Sequence, residues 1–248
     1  MTDEIDQPLG TNDQLILVCG ISGSGKSASL MNIRNQEKWM SLNPEAGKRL
    51  PFKNSFDSYR ISDPYEVHEG FEYAIENPDV AGIILDSATF LMDMFETQYV
   101  IGSSNTMQGW ANYQQFWKKL MQDLVVRFAR PVIITAHVRD DLDEKSMEMK
   151  TAVPIKGALR NNGIEAYFST VVATKKLPLK DLKDYSNHLL NITEEDELVG
   201  YKHVFQTRIT KTTTGERIRS PMGLFKVNET YTDNDAQLLL DHLNKFYN

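Results

Sequence analysis

The stretch that most constrains this chain is Leu15 to Ser27, LILVCGISGSGKS, an apolar run leading into Gly20-x-x-x-x-Gly25-Lys26-Ser27. Leu15, Ile16, Leu17 and Val18 suit a strand buried on both faces of a parallel sheet. Gly20, Gly23 and Gly25 carry no Cβ, so the loop after that strand can take positive φ and turn consecutive N–H groups inward around an anion. Ala28, Leu30, Met31 and Ile33 continue at helical spacing, which puts the loop at the positive end of a helix. Strand, loop and helix together read as a P-loop, whereas a chance GKS in a Gly/Ser loop needs neither flank. In this reading Gly20, Ile21, Ser22, Gly23, Ser24, Gly25, Lys26, Ser27 and Ala28 cradle a nucleotide. Lys26 reaches the β- and γ-phosphates and the Ser27 hydroxyl ligates Mg²⁺, so ATP and Mg²⁺ are the expected ligands.

The 248 residues allow one α/β domain with insertions, or two small domains, and a core of that size needs no disulfide or metal staple. The formal net charge of −7 argues against a basic protein that coats nucleic acid, so any such contact has to come from a local patch. No apolar run approaches the ~20 residues of a bilayer span, and the first ten residues are acidic where a signal peptide would be basic and then apolar. A cytoplasmic protein without a membrane partner is expected. The single Cys19 fits a reducing compartment and reads as a small buried packing residue.

Taken in order, residues 1–14 are polar and read as a flexible acidic arm, and 15–248 as a single domain. Asn43-Pro44 and Gly47 break the pattern after the P-loop helix, and short extended pieces follow at 50–52 and 59–61. Asp63 (N-cap), Pro64 and Glu66 open a helix with Val67, Phe71, Ala74 and Ile75 inward, ended by Asn77-Pro78. Val80 to Ser87 is an apolar strand ending in Asp86, a carboxylate placed to hold the Mg²⁺ shell from a strand beside the P-loop; the alternative is a cap for the next helix. That helix, from Thr89 to Tyr99, should bury Phe90, Leu91, Met94 and Phe95. Residues 101–109 read as a flexible polar loop. Trp110, Tyr113, Trp117, Leu120, Met121, Leu124 and Phe128 then form a helical stripe that is core before it is a base-stacking surface.

Val132 to Thr135 is a third strand, ending in Ala136-His137. A polar residue at that tip can sense the γ-phosphate if this strand lies beside the one carrying Asp86; the plainer reading is a locally bonded histidine. Residues 138–156 are dense in charge and read as an exposed loop. A strand over 167–173, an irregular insertion over 178–203 and a hairpin flanking Thr213-Thr214-Gly215 follow. In that hairpin Arg217 and Arg219 share a face, either for one anion or as charges that guard an edge. A last helix opens at Thr232-x-x-Asp235 with Ala236, Leu239, Leu240, Leu243 and Phe246 inward.

Alternating strands and helices with the P-loop first imply an α/β fold, a mostly parallel sheet with helices on both faces, plus the C-terminal hairpin and helix. GISGSGKS, IILDSATFLMDMFE, VIGSSNTMQGWANYQQF, VIITAH and VPIKGALRNNGIEAYFSTVVATKK, spread over residues 15 to about 176, resemble the compact RecA-core P-loop ATPases of bacteriophages that serve single-strand annealing and recombination. The resemblance implies a RecA-like, AAA-like core hydrolysing ATP in the host cytoplasm as a homo-oligomer, with single-stranded DNA and a single-strand-binding protein as partners. Lys26, Ser27, Asp86 and His137 match its phosphate, metal and sensor positions. Arg217 and Arg219 match the basic residues that reach a neighbour's γ-phosphate, and 99–112 and 138–156 match the DNA-facing loops. The second loop is net negative by one, against what phosphate contact requires. Enzymes of this type also use a glutamate ending the strand after the P-loop helix to activate water. No such residue stands out here: Asp57 and Asp63 are poor substitutes, and Glu66 and Glu69 read as solvated helix residues. Two other functions fit the P-loop. One is a nucleotide or nucleoside kinase, whose lid over 138–160 would have only Arg139 and Arg160. The other is a non-hydrolysing ATP-dependent assembly switch.

Overall fold

The computed structural model describes residues 11–45, 47–144, 147–160 and 162–248. These form ten strands: β1 (Leu15–Gly20), β2 (Trp39–Asn43), β3 (Asp57–Arg60), β4 (Gly82–Leu85), β5 (Val132–His137), β6 (Arg139–Asp143), β7 (Glu148–Ala152), β8 (Thr170–Pro178), β9 (Tyr201–Gln206) and β10 (Tyr231–Asp233). The α-helices are α1 (Tyr65–Glu76), α2 (Ala88–Phe95), α3 (Thr106–Lys119), α4 (Val125–Phe128), α5 (Glu194–Val199) and α6 (Ala236–Tyr247).

Eight strands make one sheet in the order β10-β9-β8-β1-β5-β4-β2-β3, parallel from β8 to β3, with β9 and β10 added antiparallel at one edge. Side chains alternate between its two faces. On β1, Leu15, Leu17 and Cys19 join a core with α1 to α4, while Ile16 and Val18 join a second core with Leu30, Ile33 and the inner side of α6. A sheet covered on both faces is what the continuous apolar runs of β1, β4 and β5 require.

Several expectations hold. The aromatic stripe is core: α3 runs through a π-helical turn (Leu120–Leu124) into α4, burying Tyr113, Trp117, Leu120, Met121, Leu124 and Phe128. Cys19 is buried, and burial followed by the nearby Glu165 pushes its thiol up to about 12, so it packs and does not react. At α1 the Asp63 carboxylate accepts Tyr65 N (2.8 Å) and the Glu66 carboxylate accepts Asp63 N (3.3 Å), but the helix starts at Tyr65 and its N-cap is Pro64, one residue later than expected.

Other expectations are corrected. The helix after the P-loop is a single 3₁₀ turn, Ser27–Leu30, because the chain turns again by Gln36 to enter β2, a strand the sequence hid. Residues 101–109 are mostly helical: a π-helical turn (Glu96–Ile101) extends α2, and Asn105 caps α3 by accepting Gln108 N. Phe90 on α2 and Phe246 on α6 face outward, at 42% exposure each. The charged loop is the antiparallel hairpin β6–β7, whose register pairs Asp141 with Lys150. The insertion over 178–203 holds α5 and the start of β9. No hairpin forms around 213–215; Glu216 and Arg219 instead make isolated bridges to Thr151 and Val171. Of the arm, residues 1–10 lie outside the described residues, and Asn12 is docked, donating to Arg130 O at 2.8 Å.

Candidate nucleotide site

The tips of β1, β5, β4 and β2 lie side by side at the carboxyl edge of the sheet, where ligands of open α/β sheets bind. β1 delivers the loop. Gly23 and Gly25 take positive φ (75° and 109°) and Gly20 does not; Gly20 is needed because a Cβ there would strike Thr174 Oγ1 and Ser24 Oγ. Four of the loop's carbonyls are held by side chains. Lys26 Nζ donates to Gly20 O (3.0 Å) and Ile21 O (2.8 Å), His203 Nδ1 lies 2.8 Å from Ser24 O, and Asn234 Nδ2 donates to Gly25 O (2.8 Å). Ser24 N is used within the loop, donating to Ile21 O (3.3 Å), and an anion would meet the remaining N–H groups. A single 3₁₀ turn adds little dipole, so the expected help from a helix N-terminus is replaced by the loop and Lys26. Burial lowers the Lys26 pKa, opposed chiefly by Asp86.

β5, and not β4, is the immediate neighbour of β1, with His137 in register with Gly20. The Asp86 strand is therefore one strand further from the P-loop than the sequence suggested, and β5 does lie beside it. Asp86 is buried and accepts the Thr135 hydroxyl from β5. His137 N donates to Thr89 Oγ1 (2.9 Å), and burial, then Lys26, push its imidazole pKa down. That keeps it neutral at pH 7, fit to donate or accept one hydrogen bond.

The residue that sequence reasoning missed is Glu45. β2 pairs with β4 in parallel, Asp86 N donates to Leu42 O (3.2 Å), and the chain then turns sharply: Asn43 Oδ1 accepts Glu45 N (2.7 Å) and Asn43 Nδ2 donates to Lys48 O (2.7 Å). This turn sets Glu45, buried, at the tip of β2. One carboxylate oxygen accepts Ser87 Oγ at 3.3 Å and the other pairs with Lys48 Nζ at 2.6 Å. A cleft of about 420 Å³ gathers Lys26, Ser27, Glu45, Lys48, His137 and His203.

No family model and no curated protein matches this chain.

The two arginines part company. Arg217 is held in the same chain, donating to Asn162 O (2.9 Å) and pairing with buried Glu165 (3.3 Å), on the wall of a second cleft behind the loop. Arg219 is exposed and lines neither cleft. Among the described residues no three or more His, Cys, Asp or Glu gather for a metal. A Mg²⁺ held by one hydroxyl, one carboxylate, phosphate oxygens and water asks for no such group, and Ser27 and Asp86 are donors of the right chemistry. No described helix is long and apolar enough to cross a membrane.

Proposed function

We propose that the chain is a P-loop ATPase with a RecA-like core, of the kind the phage recombination enzymes represent, working with single-stranded DNA as a homo-oligomer. The observation that carries this reading is Glu45: a buried carboxylate at the tip of the strand after the P-loop turn, opening on the same cleft as Lys26 and bonded to the residue after Asp86. A carboxylate so placed can serve hydrolysis as a base, a role that a nucleotide-holding switch does not require. A kinase lid finds less support, because Arg139 is already paired with Asp141.

In the proposed reaction the loop's N–H groups and Lys26 hold the phosphates. Glu45 takes a proton from the water whose oxygen bonds to the γ-phosphorus as the β–γ bridging P–O bond breaks, and ADP and phosphate leave. Ser27 and Asp86 would hold Mg²⁺, which supplies charge stabilisation on the phosphate oxygens. His137, neutral and in register with Gly20, is the contact that distinguishes the γ-phosphate.

The test is nucleotide binding and turnover in wild type and Lys26→Ala, with and without single-stranded DNA. Wild type should bind Mg-ATP and release phosphate, faster with the strand, and Lys26→Ala should do neither while keeping its fold. Equal affinity and turnover in the two would overturn the proposal.

A further inference from the structure

A cleft of about 970 Å³ adjoins the candidate nucleotide site, and the two share Lys48, Arg49 and Pro51. It lies between the 47–54 segment and the edge strand β3. Its lining holds Lys48, Arg49, Lys53 and Arg60 and not one carboxylate, on a chain whose net charge is −7. Lys48 is neutralised by Glu45, but Arg49, Lys53 and Arg60 make no ion pair with any described residue. The Asp57 carboxylate, outside that lining, accepts the Tyr59 hydroxyl at 2.6 Å and keeps its charge. Two aromatic rings, Phe52 and Tyr59, line the same space, Tyr59 at 40% exposure.

Three described cations in and beside the hairpin are paired by contrast. Lys150 is paired with Asp143, Lys156 with Glu96 and Arg139 with Asp141. A phosphate approaching them competes with a neighbouring carboxylate, while one approaching Arg49, Lys53 or Arg60 meets water and counterions.

We propose that this cleft binds a single nucleic-acid strand, with Arg49, Lys53 and Arg60 on backbone phosphates and Phe52 and Tyr59 offering faces to unstacked bases. Cations that track a backbone, interleaved with aromatic faces, are what sequence-tolerant single-strand binding uses. A duplex is read by an element that projects into a groove, and a concave cleft is the wrong shape for that. The site gives the ATPase proposed above a place for its strand next to Glu45 and Lys48. It rests on that reading for its purpose but not for its measurement, which contains no nucleotide.

The experiment is fluorescence anisotropy of a labelled single strand of about 20 nucleotides, titrated at two salt concentrations with the full chain, Lys53→Ala/Arg60→Ala, Lys53→Glu/Arg60→Glu and Lys150→Ala/Lys156→Ala. The Lys53 and Arg60 side chains are exposed, and circular dichroism checks the fold. The expected result is binding by wild type and the Lys150/Lys156 variant. The Lys53/Arg60 alanine pair should lose about tenfold or more in affinity, with a salt slope smaller by about 1.4, and charge reversal should lose more. Unchanged affinity in both Lys53/Arg60 variants, no binding by wild type, or preference for the duplex would overturn the site. Full displacement by a mononucleotide at equal concentration would make it a small-molecule pocket, and a sedimentation change confined to those variants would make it a contact between copies; either result overturns the strand assignment. A chain that binds the strand through Lys53 and Arg60 yet hydrolyses no ATP would refute the ATPase and leave this site standing.

Discussion

Ser87 Oγ donates to Glu45 Oε1 across 3.3 Å, joining the tip of β2 to the tip of β4. Because Lys48 holds the other oxygen, the carboxylate is fixed in direction as well as in place.

The loop is set from far along the chain. His203 on β9 and Asn234 before α6 hold the carbonyls of consecutive loop residues, and a Cβ on Gly25 would press on both side chains. His203→Ala and Asn234→Ala should each weaken ATP binding by about 2- to 10-fold, the worth of one hydrogen bond, and leave kcat near wild type. Because Nδ1 must donate to a carbonyl, His203→Asn should recover part of the loss. Calorimetric Kd values beside turnover at saturating ATP check this; a fall in kcat at unchanged Kd would contradict it.

Arg217 and Arg219 should behave differently. Arg217→Ala strips the ion-pair partner from a buried carboxylate, leaving Glu165 with Val153 N at 2.8 Å among the described residues, and should cost about 1–3 kcal/mol of stability. Arg219→Ala should leave the denaturation midpoint unchanged and lower turnover only in the assembled protein, with partial recovery on mixing with Lys26→Ala subunits. Urea titrations and mixed-subunit assays separate the two. Equal midpoints for Arg217→Ala and wild type would return Arg217 to the role the sequence suggested.

Much of the centre of this fold is legible in the residues. Leu15–Val18, Gly82–Leu85 and Val132–Ile134 are uninterrupted apolar runs because both faces of each are covered, and such runs end at the sheet's carboxyl edge, where Lys26, Asp86 and His137 sit. β2 was hidden because Ser41 interrupts its apolar run and Asn43-Pro44 punctuates it at once, so the break signal outweighed four buried residues. Glu45 went with it; the usable signal was an acid two residues past Trp39–Asn43, taken as a strand. β6 and β7 showed no period of two because both of their faces are largely exposed. The partners of Arg217, at Asn162 and Glu165, are more than fifty residues away, and no local pattern encodes such a contact.

A pH dependence follows from His68. It is buried, stacked on Phe116 with Nε2 3.2 Å from Phe116 O, and burial brings its pKa down from the ordinary 6.5 to about 4. The unfolded chain therefore binds this proton first. His68 costs nothing above pH 6.5, and stability falls as pH drops from 6.5 towards 4, by up to about 1.4 kcal/mol per unit. His137 shifts in the same direction. Denaturant midpoints between pH 7.5 and 4.5 should show the decline, shallower in His68→Gln; parallel curves would contradict it.

The most direct test of the account is single-turnover ATP hydrolysis by Glu45→Gln beside wild type. The variant should bind Mg-ATP within a few-fold of wild type and hydrolyse it about 10²- to 10⁴-fold more slowly, the worth of a positioned general base. Hydrolysis at the wild-type rate with nucleotide bound would contradict it, and would leave Glu45 as no more than the carboxylate that ties β2 to β4.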